Sequence, residues 1–193
     1  LMSRILGQGC LAEDRQEKFQ RYLDLVETET SRCSQIVSSL LHFSRMSPPA
    51  FGPIQIDELL GRCILLSQHK LELNNIRLES SIPENPPSVK GDFNQLQQCV
   101  INLIFNAIDA MPDGGTLTLD CCHDPDRGIV ILVVQDSGQG IPHEDLSQIF
   151  EPFYTTKKEG TGIGLAIARR IVESHEGWIK VESREKIGTK FAL

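Results

Sequence analysis

Asn102 and Asn106 stand one helical turn apart in residues 92–111, where apolar side chains recur at helical spacing. Gln98 and Asp109 extend the pair into a polar stripe, opposite a face made by Phe93, Leu96, Val100, Leu103, Ala107 and Met111. Residues three and four apart share a helix face. Asparagine is a poor mid-helix residue, and a stripe that only faces water is usually built from Lys and Glu. Side-chain amide oxygens suit a hard cation such as Mg2+. Taken alone, the stripe fits a solvated face and a cation-binding face equally.

Two glycine-bearing segments follow. Asp136-Ser137-Gly138-Gln139-Gly140-Ile141-Pro142 comes directly after an apolar run, residues 129–135. Its glycines let the backbone turn and approach a ligand closely, and the Asp136 carboxylate is an acceptor for an exocyclic amine. By itself it also reads as a plain strand-ending turn. Gly160-Thr161-Gly162-Ile163-Gly164-Leu165 leads into a helical stretch, residues 166–173. Backbone N–H groups at such a helix start can cradle phosphate. No strand precedes these glycines and no Gly-Lys-Ser/Thr follows, which excludes the dinucleotide fingerprint and the phosphate loop. Between the two segments runs Phe150-Glu151-Pro152-Phe153-Tyr154-Thr155-Thr156-Lys157-Lys158-Glu159. That aromatic, hydroxylic, then basic order suits a lid with apolar anchors at Ile149, Phe150 and Phe153 and two cations for phosphate. An ordinary charged loop has the same composition.

These segments need a scaffold. The chain has 193 residues, 40% hydrophobic and 23% charged, which is ordinary globular composition. Its net charge of -7 argues against binding nucleic acid by broad charge neutralisation. No apolar run reaches the ~20 residues of a membrane helix. Six cysteines without a Cys-x-x-Cys pair read as reduced, buried thiols of a cytoplasmic protein. Phe19, Tyr22, Val26, Cys33, Ile36, Leu40 and Phe43 form one helical seam that needs a partner surface. Pro48-Pro49 ends that region. Downstream, residues 54–67 begin extended and turn helical near Asp57. Strands are expected over 76–82, 116–122, 129–135, 178–183 and 189–193, with helices over 92–111 and 163–175. The hairpins exclude a doubly wound parallel sheet, so the fold class is α+β, helices layered on one face of a sheet.

Together and in this order, the asparagine helix, the Asp-x-Gly-x-Gly turn, the Phe-Glu-Pro-Phe segment and the Gly-x-Gly-x-Gly helix start resemble the ATP-binding domain of sensor histidine kinases. That domain lies within the wider gyrase, Hsp90 and MutL group. The resemblance covers residue 54 to the end. Residues 11–47, closing on Leu40-Leu41-His42-Phe43-Ser44-Arg45, look like the second helix of the kinases' dimerisation hairpin. It implies a two-layer α/β sandwich ATP-binding domain over residues 51–193, preceded by a partial helical hairpin over 1–47, with ATP and Mg2+ as cofactors. Carried over, Asn106 binds Mg2+ with Asn102 assisting. Asp136 meets the adenine amine, and Gly138, Gly140, Ile141 and Thr189 shape the pocket. Phe150, Thr155, Thr156, Lys157 and Lys158 belong to the lid. Gly160, Thr161, Gly162, Ile163, Gly164 and Leu165 offer backbone groups to phosphate. Asp109 joins the nucleotide residues where many relatives have Lys, which leaves the phosphate cation to Lys157 or Lys158.

The related ATPases place Glu one turn before the Mg2+-binding Asn, as general base for water. Asn102 occupies that position here and accepts no proton usefully. The resemblance therefore implies transfer of the γ-phosphoryl to a histidine and relay to a response regulator receiver domain. The rival readings are a gyrase/MutL-type ATPase and a non-catalytic nucleotide-sensing module. His42 points away from the seam but lacks the following acidic residue of a phosphoacceptor. Leu1 precedes Met2, and the acceptor is expected upstream of Leu1. Homodimerisation through the hairpin is expected, with no nucleic acid partner and no membrane contact from this stretch.

Overall fold

Residues 17–30, 50–83, 86–157 and 160–193 are described by the computed structural model, and the chain divides into two units. The first contains Leu1–Arg45 and Lys157–Thr161, the second Met46–Thr156 and Gly162–Leu193. In the first unit, residues 17–30 are helical (α1). Thr28 and Thr30 donate their hydroxyls to the carbonyls of Asp24 and Val26. Phe19 is half-buried, while Tyr22, Leu23 and Val26 are exposed. The rest of the expected seam, with His42, lies outside the described residues.

In the second unit the apolar alternation becomes a mixed sheet. Its strands are β2 (Ile76–Ser81), β4 (Gly115–Asp124), β5 (Ile129–Asp136), β6 (Lys180–Arg184) and β7 (Gly188–Ala192), in the order β2-β4-β5-β7-β6. Only the β2–β4 pair is parallel. A small antiparallel pair joins β1 (Gly52–Ile54) to β3 (Val89–Gly91). Sequence reading misses β3, because three residues are too few to show alternation. Three helices, α2 (Ile56–Leu73), α3 (Phe93–Asp109) and α4 (Gly164–Ser174), supply the other layer, with α3 packed against both α2 and α4. One core joins the layers. Leu59, Leu103, Ile104 and Ile171 meet Leu117, Leu119, Val134 and Phe191 of the strands. Burying each such side chain stabilises by roughly 1.5–3 kcal/mol. α2 runs to Leu73, six residues beyond the expected end.

Cys63 and Cys99 are buried in this core, and burial pushes both thiols up to about 12. They are inert, protonated thiols. Cys121 is also buried, and Cys122 is exposed. Among the described residues no helix is long and apolar enough to cross a membrane.

Asp92 caps α3. Its Oδ1 accepts from the Gln95 N–H at 3.0 Å and its Oδ2 from the Ala50 N–H at 2.8 Å. Its own N–H donates to His175 Nε2 at 2.9 Å, past the end of α4. Burial pushes the carboxyl up, but hydrogen bonds from Gln95, Ala50 and Asn94 outweigh it, so the pKa falls below its ordinary 3.8. Asp92→Ala should lower stability by about 1 kcal/mol, read as a lower urea midpoint. A folded pKa below the unfolded one means that the contribution is present above about pH 4 and fades as pH falls further. The difference between the two proteins should therefore shrink at pH 3.

Candidate functional site

The inner face of the sheet turns polar at one end. β5 buries Leu132, Val134 and then Asp136, so a carboxylate continues an apolar row. In register across the sheet, Leu117 faces Asp136, Asp136 faces Thr189, and Thr189 faces Ser183. Asp136 and Thr189 are only 6% and 4% exposed. Buried polar groups are costly unless hydrogen-bonded. Asp136 Oδ1 accepts from the N–H groups of Gly138 at 2.9 Å and Thr189 at 3.2 Å. Those two donors fix the carboxylate's orientation.

The turn after β5 is wedged between α3 and the β6–β7 hairpin. The Gln139 N–H donates to the Ala110 carbonyl, and the Gln139 carbonyl accepts from the Lys186 N–H. A Cβ on Gly138 would stand 2.4 Å from the Ala110 oxygen, which only glycine avoids. The Ile141 N–H donates to Ser183 Oγ at 2.8 Å.

The polar stripe of α3 faces the start of α4. Asn102 Nδ2 donates to the Gly164 carbonyl at 3.1 Å, and Asn102 Oδ1 accepts from Gln98 Nε2 at 2.9 Å. A carbonyl only accepts, so the Asn102 amide is fixed with its nitrogen toward Gly164. Asn106 Nδ2 lies 4.0 Å from where a Gly164 Cβ would stand. The sequence sets Asn102 beside Asn106 as a second amide ligand for a cation. Its oxygen accepts from Gln98 and keeps a second lone pair, so Asn102 stands beside Asn106 as a further candidate. The exposed carboxylate of Asp109 pairs with Lys70 of α2 at 3.4 Å.

α4 begins without a side-chain cap at Ile163 and without an acidic residue in its first turn. Its first N–H groups and the positive end of its dipole are thus left for an outside anion. The Ile163 side chain is buried in the interior, and Leu165 packs against the core. Gly162 has φ +66, and its carbonyl accepts from the Phe153 N–H at 2.9 Å. A Cβ there would meet the Phe153 carbonyl carbon at 2.5 Å.

The expected lid is anchored differently from its sequence reading. Ile149 is buried, and Phe150 lies edge-on to Phe191 at 6.4 Å. Phe153 is 56% exposed and is not an anchor. Tyr154 takes that place, donating its hydroxyl to Asp145 Oδ1 at 2.5 Å, a bond that raises the phenol pKa. Thr155 and Thr156 are exposed. Lys157, Gly160 and Thr161 fall in the first unit, where the Gly160 N–H donates to the Lys157 carbonyl. Lys158 lies outside the described residues. Ser183 escaped sequence reading. Its only signal is a place on the strand that pairs with Thr189, and the register of two strands is not visible in either one.

The sequence profile described as "Histidine kinase-, DNA gyrase B-, and HSP90-like ATPase" matches residues 91–193, just over half of the chain. Sporulation kinase A of Bacillus subtilis (strain 168) is 38% identical over 193 residues, covering 100% of this chain and 32% of that protein. The chain thus spans about a third of that relative's length. Among solved structures, the nucleotide-free catalytic domain of histidine kinase ThkA is similar with a TM-score of 0.64 at 33% identity, covering 74% of this chain and 94% of that one. ThkA in complex with the response regulator protein TrrA gives a TM-score of 0.74 at 28% identity, covering 99% of this chain and 54% of that one.

Proposed function

The chain belongs to the histidine kinase-, DNA gyrase B- and HSP90-like ATPase family, and from that premise we propose that it is the ATP-binding catalytic portion of a protein histidine kinase. The observation that carries this reading is the seat of Asn106 against the uncapped, glycine-rich start of α4. In this reading residues 51–193 hold the nucleotide, and residues 1–47 are part of a dimerisation hairpin. Asp136 and Thr189 receive the adenine amine. The first N–H groups of α4 receive the phosphates.

Mg2+ fits as a cation shared between protein and nucleotide. Among the described residues no cluster of three or more His, Cys, Asp or Glu could hold a metal. Mg2+ is commonly bound through one or two protein oxygens plus substrate phosphates, and the Asn106 amide oxygen is the protein's share. When bound, Mg2+ neutralises phosphate charge.

Transfer is favoured over hydrolysis by Asn102. It stands one turn before Asn106, with its amide committed to Gln98 and Gly164. An amide is no proton acceptor, so water receives no general base there. The γ-phosphorus instead bonds to an imidazole nitrogen while its bond to the β–γ bridging oxygen breaks and ADP leaves. The solved complex of ThkA with TrrA supports a receiver domain as the next acceptor. The exposed Tyr22 and Val26 on α1 support a homodimeric bundle.

Incubating the full-length protein with γ-labelled ATP should label a histidine, in an acid-labile and base-stable form. The label should then pass to an aspartate of a receiver domain. Release of inorganic phosphate with no label ever reaching protein would replace the kinase reading by the ATPase one.

A further inference from the structure

Ser183 Oγ has three polar neighbours. The Ile141 N–H donates to it at 2.8 Å, the Gly188 carbonyl lies at 3.0 Å, and Thr189 Oγ1 lies at 2.9 Å. A serine hydroxyl has one proton and two lone pairs. The Gly188 carbonyl can only accept, so the Ser183 proton goes to it. The Ile141 N–H takes one lone pair. The second lone pair is left to accept the Thr189 hydroxyl proton, and this assignment satisfies all three contacts. Thr189 Oγ1 is then left with lone pairs only. It sits beside Asp136, its register partner, and Asp136 as a carboxylate is also an acceptor only.

We propose that Ser183 is a specificity-determining positioning residue: by fixing the Thr189 hydroxyl as a donor to itself, it makes the buried Asp136–Thr189 pair read the base purely as an acceptor. This rests on the nucleotide reading above. A 6-aminopurine brings two N–H donors to such a pair. A 6-oxopurine puts a carbonyl in that place and keeps a single neighbouring donor, N1–H, so at least one of the two buried acceptors is left unmatched. Ser183 acts on the base only through Thr189.

The test is calorimetric titration with ADP and with inosine diphosphate. Wild type should prefer ADP. Ser183→Ala should lower the ADP-to-inosine-diphosphate affinity ratio by about tenfold, because the Thr189 hydroxyl is freed to rotate and donate to the oxo group. Ser183→Thr, which keeps the hydroxyl, should keep the ratio. Thr189→Val removes the second acceptor, leaves the bond between Ser183 and Ile141 in place, and should lower the ratio similarly; it carries the test if Ser183→Ala fails to fold. A purely structural role would weaken both nucleotides alike. An unchanged ratio in Ser183→Ala, or in Thr189→Val where Ser183→Ala cannot be measured, overturns the inference alone. Binding of neither diphosphate by wild type overturns the nucleotide reading, and the inference with it.

Discussion

Asp136→Asn should weaken ATP binding by about 10- to 100-fold while leaving the fold intact. The asparagine keeps an oxygen for the Gly138 and Thr189 N–H groups that hold Asp136 Oδ1. It replaces the other carboxylate oxygen by an NH2 group, which opposes the adenine amine donor to donor. Losing a hydrogen bond to a charged group in a buried setting is worth about 1.5–3 kcal/mol, which sets the range. Calorimetry with ATP would measure it, and a melting temperature close to wild type would separate it from unfolding. Unchanged affinity would remove Asp136 from the site.

Asn106→Ala should abolish the strengthening of ATP binding by Mg2+ and slow phosphoryl transfer by about 100-fold or more. Alanine is the better helix former, so α3 should remain. What is lost is the amide that faces the start of α4. Removing one preorganised group that stabilises developing charge lowers rates by about 10²–10³. Titrations with and without Mg2+ read the first effect, and single-turnover labelling reads the second. A variant whose ATP affinity still rises with Mg2+ as in wild type would take the cation away from Asn106.

The layered fold and the type of its main elements were legible because they depend on local pattern. Alternation marked β4, an apolar run marked β5, and helical spacing marked α3, which Asp92 caps. The polar stripe of α3 and the Asp136 turn were visible as candidates because amides on one helix face and a carboxylate after an apolar run are local features. What escaped depends on partners distant in sequence. The Gln98 and Gly164 partners that orient the Asn102 amide meet it only in the fold. Lys70, the ion-pair partner of Asp109, comes from α2, far away in sequence. Ser183 carries no local sign of importance, because its hydroxyl gains a role only when β6 lies against β7 and the turn at Ile141.

The strand order β5-β7-β6 has a consequence for how the molecule folds. The β4–β5 and β6–β7 hairpins each close over a short stretch of chain. β7 then docks onto β5 across more than fifty residues, the register partners being Asp136 and Thr189. That docking is the slow kind of contact, because loop-closure entropy is lost before packing rewards it. The same seam joins Ile141 to Ser183, Gln139 to Lys186 and Asp136 to Thr189. The polar end of the sheet is therefore complete in neither hairpin alone. It is assembled only when β7 meets β5, so its formation carries the loop-closure cost of that long-range contact.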